Sequence, residues 1–181
     1  MWMEKALDGR LERDDLCLTF DDSLLCQRDV ALPVLEALGH TGFFFVYSSV
    51  FEGGLERLEI YRAFRTTQFE TLDEFYSRFF EMVERSDRGD AYRRSMREFR
   101  AEEYLPEYPF YSSADRKFRF VREEILGPEA YVRLMDSMIG ETTSLEELSK
   151  FLWMDDADLR TLFDRGHVVG LHSYTHPTMM E

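Results

Sequence analysis

Three short apolar runs punctuate a chain that is otherwise helical in its hydrophobic pattern. Leu16–Phe20 and Phe43–Tyr47 lie near the start, and His167–Leu171 lies near the end. The unbroken apolar character of Phe43–Tyr47 is typical of a strand buried on both faces of a parallel sheet. Between the first two runs, Asp29–Gly39 offers an N-cap residue, apolar residues at helical spacing and a C-cap glycine. The order strand, helix, strand predicts a βαβ unit.

From about residue 55 to 165 the apolar positions follow the period of a helix and strand signals vanish. Predicted helices cover Leu55–Phe64, Leu72–Val83 with Thr71 as its N-cap, Ala91–Phe99, Ser113–Leu126, Glu129–Ile139, a segment capped by Thr143 or Ser144 that runs through Trp153, and one from Asp155 or Asp156 to Asp164. We therefore expect an N-terminal βαβ part (1–54), a helical insertion (55–154) and a final helix, strand and loop (155–181). Residues 1–14 are charged and predict an irregular lead-in.

Composition narrows the class of protein. A length of 181 residues fits one domain with a subdomain, and 44% hydrophobic residues suffice for a core. The net charge of −14 argues against nucleic acid and anionic membrane surfaces as partners. No apolar run approaches the ~20 residues of a membrane span, and the N-terminus is too polar for a signal peptide. Cys17 and Cys26 make no disulfide framework, so we expect a reduced, cytoplasmic protein.

The density of aromatic residues in the helical insertion has two interpretations. Helical spacing makes most of these side chains core residues, and a lid or a dimer surface is the alternative. The sequence thus leaves a homo-oligomer open.

Polar residues end two of the predicted strands. Asp21 and Asp22 follow the first, while His172 and His176 follow the third. Carboxyl ends of parallel strands meet at one edge of a sheet, so these side chains predict a divalent-metal site there. Neutral imidazoles are ligands for zinc, cobalt, nickel or iron, and a spare carboxylate beside such a centre serves as a base. Considered alone, Asp21 and Asp22, or His172 and His176, also fit an ordinary polar turn that binds no metal.

Both motifs resemble those of a known family. Thr19-Phe20-Asp21-Asp22-Ser23 is similar to the first motif of the polysaccharide deacetylases, carbohydrate esterase family four, with Ser23 in place of a glycine. His172-Ser173-Tyr174-Thr175-His176-Pro177 resembles their second motif. The likeness covers roughly residues 15–50 and 155–178. It implies an α/β fold, a partial distorted (β/α) barrel of the polysaccharide deacetylase type with a large helical insertion.

The resemblance also implies an activity. Asp21 would be the general base, while Asp22, His172 and His176 would bind zinc or another divalent metal. The expected reaction removes N-acetyl groups from a sugar or surface polysaccharide, which is hydrolysis of a non-peptide carbon–nitrogen bond. The alternatives are an O-acetyl esterase, served by the same water chemistry, and a non-catalytic metal-binding remnant.

The family's later motifs, which carry an acidic histidine and an arginine, have no counterpart before Glu181. We therefore expect this chain to be an incomplete catalytic domain, or to be completed by another chain. His40 and His167 could be proposed as the missing acid, but a structural role at a helix end or strand start suits each better.

Overall fold

The computed structural model describes residues 2–175. Within that range the chain forms nine α-helices and three strands. In chain order they are α1 (Trp2–Leu7), β1 (Leu18–Asp21), α2 (Leu32–Leu38), β2 (Gly42–Val46), α3 (Arg57–Thr67), α4 (Leu72–Arg85), α5 (Gly89–Glu98), α6 (Ser113–Phe120), α7 (Gly127–Gly140), α8 (Leu145–Ser149), α9 (Asp156–Asp164) and β3 (Val168–Leu171). Two π-helical turns, Gln27–Ala31 and Val121–Leu126, lead into α2 and α7, and a 3₁₀ turn, Ser48–Glu52, follows β2.

The fold divides into two compact units. The first, the sheet unit, comprises the chain up to Glu56 and again from Ser149 onward, and the second, the helical unit, is Arg57–Leu148. The sequence placed these boundaries after residues 54 and 154. The second boundary falls earlier because Leu152–Met154 pair with the turn after β1 rather than continuing α8.

The expected partial (β/α) barrel is wrong. The protein is mostly helical, and the described residues contain one small parallel sheet in the order β1-β2-β3. Phe44 of the central strand faces Phe20 of β1 and Val169 of β3 across the ladders. The helical segments that make up most of the sequence fold as their own unit, so they supply no further strands with which the sheet could form a barrel.

One face of the sheet carries the core of the first unit. Leu32, Leu35, Phe44, Met154 and Leu162 are buried together, and Phe20 stacks on Phe44 at 4.9 Å between ring centroids. Helices α2 and α9 thereby cover this face. Two ion pairs link the same region: Arg28 of the π-helical turn before α2 pairs with Asp158 of α9, and Arg165, just after α9, pairs with Glu36 of α2.

The other face of the sheet meets α1. Trp2 contacts Phe43 edge-on, with ring centroids 5.7 Å apart. The predicted irregular lead-in is therefore wrong over Trp2–Leu7, which is too short a run for the helical period to be recognised from sequence. Phe43 is buried, which confirms that β2 is covered on both faces.

The helical unit has an aromatic core. Phe75, Phe79, Phe118 and Tyr131 form a network of ring contacts, including 4.8 Å between Phe79 and Phe118, and Phe69 links the buried Phe64 to Phe75. Thr71 caps α4 as the sequence predicts, because its side chain accepts from Glu74 N. The predicted helix Ser113–Leu126 changes to a π-helical turn after Phe120. No helix in residues 2–175 is long and apolar enough to cross a membrane.

Candidate functional site

The turn after β1 brings the two aspartates to the carboxyl edge of the sheet. Asp21 is the last residue of β1 and pairs with Phe45 in β2. The main-chain N–H of Asp22 donates to the Phe45 carbonyl at 3.0 Å, which extends the pairing by one residue. Asp21 is exposed and Asp22 is half-buried. The two carboxylates therefore differ in access to solvent, as separate base and ligand roles would require.

Backbone geometry makes this turn sharp. Asp22 and Ser23 have φ angles of +77° and +58°, a left-handed conformation that side chains other than glycine rarely adopt. Two such residues in succession reverse the strand direction immediately after the ladder ends. Ser23 stands where the resembling motif has glycine, which is the residue that this conformation favours.

The strand β3 delivers His172 to the same edge. The main-chain N–H of His172 donates to the Val46 carbonyl at 2.7 Å, and Ser173 then turns with φ of +78°. His172 Nε2 lies 3.9 Å from Asp22 Oδ1. The parallel order of the strands thus joins the two sequence motifs. His176, the third expected ligand, lies outside the described residues.

The Asp22–His172 separation fits a shared cation. Zinc bonds to nitrogen and oxygen are each about 2.0–2.2 Å long, so one ion can span ligand atoms that are 3.9 Å apart. Residues 2–175 contain no group of three His, Cys, Asp or Glu side chains arranged for a metal. A third ligand from the described part of the chain is therefore not in place beside this pair.

Two further oxygens at this turn are buried without a hydrogen-bond partner among the described residues. They are Ser23 Oγ and Gln27 Oε1. Ser23 is fully buried, and Gln27 is anchored because its Nε2 donates to the Asp21 carbonyl. Buried oxygens of this kind are rare in folded proteins. Oxygen donors next to a carboxylate suit a cation or its water.

A segment before α9 closes the turn from one side. Leu25 N donates to the Leu152 carbonyl and Met154 N donates to the Ser23 carbonyl, both at 2.8 Å. Between them, Trp153 Nε1 donates to the hydroxyl of the buried Tyr47 at 2.7 Å. The sequence did not indicate this wall, since its pattern predicted that a helix would continue through Trp153. The one signal in the sequence was that Trp153 carries an N–H group and Tyr47 a hydroxyl. Each of these groups needs a hydrogen-bond partner when it is buried.

The 3₁₀ turn after β2 holds the loop that follows β3. Ser49 N donates to the Tyr174 carbonyl at 3.0 Å, and the Tyr174 hydroxyl donates to Glu52 Oε2 at 2.9 Å. That hydrogen bond to a carboxylate raises the pKa of the Tyr174 hydroxyl, which stays neutral. The loop after β3 is therefore attached to this 3₁₀ turn by both main chain and side chain.

Neither His167 nor His40 belongs to this edge. His167 is buried just before β3, and its Nδ1 accepts the N–H of Gly42, the first residue of β2, at 3.0 Å. Burial lowers the pKa of His167, so the ring is held neutral as an acceptor. His40 is exposed in the connection between α2 and β2. Both histidines lie at the amino ends of the strands, away from Asp22 and His172.

Comparison with known proteins returned no match: no family model, curated protein or solved structure is similar to this chain. The likeness to the polysaccharide deacetylases therefore depends on the two motifs and on the contact between Asp22 and His172.

Proposed function

We propose that this protein is a metal-dependent hydrolase that removes N-acetyl groups from a sugar or polysaccharide. The observation that carries the proposal is the 3.9 Å separation between Asp22 Oδ1 and His172 Nε2, since these residues come from two motifs at opposite ends of the chain. Asp22, His172 and His176 would hold the metal. When bound, a divalent metal lowers the pKa of water and polarises a carbonyl.

Asp21 is the proposed general base. Its carboxylate is exposed on the same turn, and its main chain is held by Phe45 in β2 and by the Gln27 amide. Asp21 takes a proton from the attacking water as the new carbon–oxygen bond to the acetyl carbonyl forms. The carbon–nitrogen bond then breaks and the proton taken up by Asp21 passes to the nitrogen, so the products are acetate and the free amine of the sugar.

The walls of the site would orient the acetamide. Trp153 and Tyr47 are fixed to one another by a hydrogen bond, and Tyr174 is fixed to Glu52. Rigid aromatic side chains around the proposed metal site would limit the access of water and hold a sugar ring in place. The free cysteines Cys17 and Cys26 suit the proposed location in the reducing cytoplasm.

Acetate release tests the proposal directly. The full chain, loaded with zinc, would be incubated with N-acetylglucosamine oligomers and with O-acetylated sugars. We expect acetate from the N-acetyl oligomers, and a loss of at least about 100-fold in kcat for Asp21→Asn with zinc binding unchanged. The matched control Asp14→Asn neutralises an exposed aspartate outside the site and should keep full activity.

Each other outcome overturns a defined part of the proposal. Release from O-acetyl substrates alone would make the protein an esterase. Zinc binding without acetate release would make the chain a non-catalytic metal-binding protein. Activity that survives Asp21→Asn would remove Asp21 from the role of base.

A further inference from the structure

The helical unit contains a cavity at the end of α5. Its volume is about 340 Å³, within the range of small-molecule sites. Six of the residues that line it are Glu98, Phe99, Arg100, Glu103, Tyr104 and Phe120. Three aromatic rings, two carboxylates and the guanidinium of Arg100 thus surround one space.

The three rings form one rigid wall. Phe120 contacts Phe99 and Tyr104 with centroids 4.8 and 5.3 Å apart, and Phe99 and Tyr104 are separated by 6.2 Å. Tyr104 is held from behind because its hydroxyl donates to Glu123 Oε2 at 2.8 Å. All three side chains remain half-buried, so part of each is exposed to the cavity or to solvent.

The carboxylates of the cavity are unpaired. Within residues 2–175 neither Glu98 nor Glu103 has a side-chain hydrogen bond or an ion pair. Arg100, the basic residue of the lining, directs Nη1 to the carbonyls of Phe99 and Arg97 at 3.0 and 3.3 Å. Glu123, which accepts from the Tyr104 hydroxyl, is instead paired with Arg122. Glu98 and Glu103 are therefore free to meet a cation from outside.

We infer that this cavity binds a protonated amine carried on a sugar ring, that is, an amino sugar. Ring faces attract organic cations within about 6 Å of a centroid, and carboxylates accept charge-assisted hydrogen bonds from an ammonium group. The carbon-bound hydrogens of a sugar ring stack on aromatic faces, while neutral or anionic ligands would leave both glutamates unmatched.

The inference rests on the proposed function, because hydrolysis of an N-acetyl group would create this amine. The cavity would then bind the deacetylated product of the reaction. The net charge of −14 favours such a polycation over the acetylated glycan and argues against anionic lipid or nucleic acid in the same place.

Binding of glucosamine oligomers to the full chain, without added metal, tests the inference independently of catalysis. A glucosamine tetramer should bind at least about tenfold more tightly than the N-acetylglucosamine tetramer, with an affinity that falls as salt is raised. Glu103→Gln and Phe120→Leu should each weaken binding of the glucosamine tetramer about three- to tenfold. Unchanged circular dichroism would show that these variants are folded.

The matched controls lie beside the cavity. Glu102→Gln removes the same charge one residue away, and Phe110→Leu shortens an exposed ring outside the lining, so both should bind as the wild type does. Equal affinity for the two tetramers, or an undiminished affinity in Glu103→Gln, would overturn the inference. Preference for a quaternary ammonium ion such as choline over the amino sugar would overturn the sugar assignment. Acetate release with no binding here would refute this site and leave the proposed function standing.

Discussion

The Nε2 atom of His172 lies 3.9 Å from the Oδ1 atom of Asp22, although these residues come from opposite ends of the chain. Strand β2 brings them together, because it pairs with β1 on one side and with β3 on the other. The main-chain N–H groups of Asp22 and His172 each donate to a β2 carbonyl, those of Phe45 and Val46. The pair is thus positioned by neighbouring residues of one strand.

Loss of either member of this pair should weaken zinc binding. Asp22→Asn and His172→Ala each remove a proposed ligand, so we expect the zinc affinity to fall at least about tenfold. Titration against a competing chelator measures the affinity without an activity assay. Asp14→Asn, an exposed aspartate before β1, is the matched control and should bind zinc as the wild type does. Equal zinc affinity in all these proteins would exclude the site.

Removal of the buried Ser23 hydroxyl should stabilise the protein in the absence of a bound group. Within the described residues Ser23 Oγ has no hydrogen-bond partner, and its burial opposes folding. We expect Ser23→Ala to raise the free energy of unfolding by about 1 kcal/mol in urea titrations. Ser113→Ala, at an exposed position, should change it by less than about 0.5 kcal/mol. A loss of stability in Ser23→Ala would show that the hydroxyl has a partner in solution.

The buried Arg116 should be essential to the helical unit. Its guanidinium donates to five main-chain carbonyls of the segment between α5 and α6. These carbonyls belong to Ala101, Tyr104, Leu105, Tyr108 and Tyr111. Arg116→Met removes this donor from all five, and only the Leu105 and Tyr108 carbonyls keep a main-chain donor among the described residues. We therefore expect a loss of at least about 3 kcal/mol in the free energy of unfolding.

Two comparisons make the Arg116 prediction specific. Arg116→Lys keeps the charge but not the planar fork of donors, so its cost should be intermediate. Arg94→Met changes an exposed arginine of α5 and should alter stability by less than about 0.5 kcal/mol. Urea titration gives the stability, and limited proteolysis reports opening of the α5–α6 segment. A mild effect of Arg116→Met would mean that water replaces the guanidinium.

His167 should make the stability depend on pH. Burial lowers its pKa from the ordinary value of 6.5, so below that pH the unfolded chain binds a proton more readily than the folded one. Its contribution to stability is therefore full above pH 6.5 and is lost as the pH falls further. His167→Asn keeps an acceptor for Gly42 N–H but does not titrate.

The measurement is the shift of the urea midpoint between about pH 7 and about pH 5.5. The shift should be smaller in His167→Asn than in the wild type. His40→Asn, a change at an exposed histidine in the same unit, should give the same shift of the urea midpoint as the wild type. A wild-type shift that persists in His167→Asn would assign the pH dependence to other groups.

Local pattern alone determined the elements that carry the site. The apolar run before Asp21 and the run before His172 predicted β1 and β3 within two residues of their observed starts, and Thr71 predicted the start of α4. Such features depend on neighbours along the chain: the period of apolar positions, and a side-chain oxygen that accepts an N–H three residues on. The approach of Asp22 to His172 was predicted too, because parallel strands share a carboxyl edge.

Tertiary structure decided what the local pattern leaves undetermined. Leu152–Met154 pair with the β1 turn instead of extending α8, because main-chain groups of Ser23 and Leu25 need partners there. The sheet of the described residues has only three strands, and most of the other elements are helices. The expected barrel was therefore wrong. Glu98, Glu103 and Phe120 line one cavity only because residues distant in sequence fold around it. Contacts of this kind depend on which surfaces are buried together. That choice is made by the whole fold and cannot be read from a local sequence pattern.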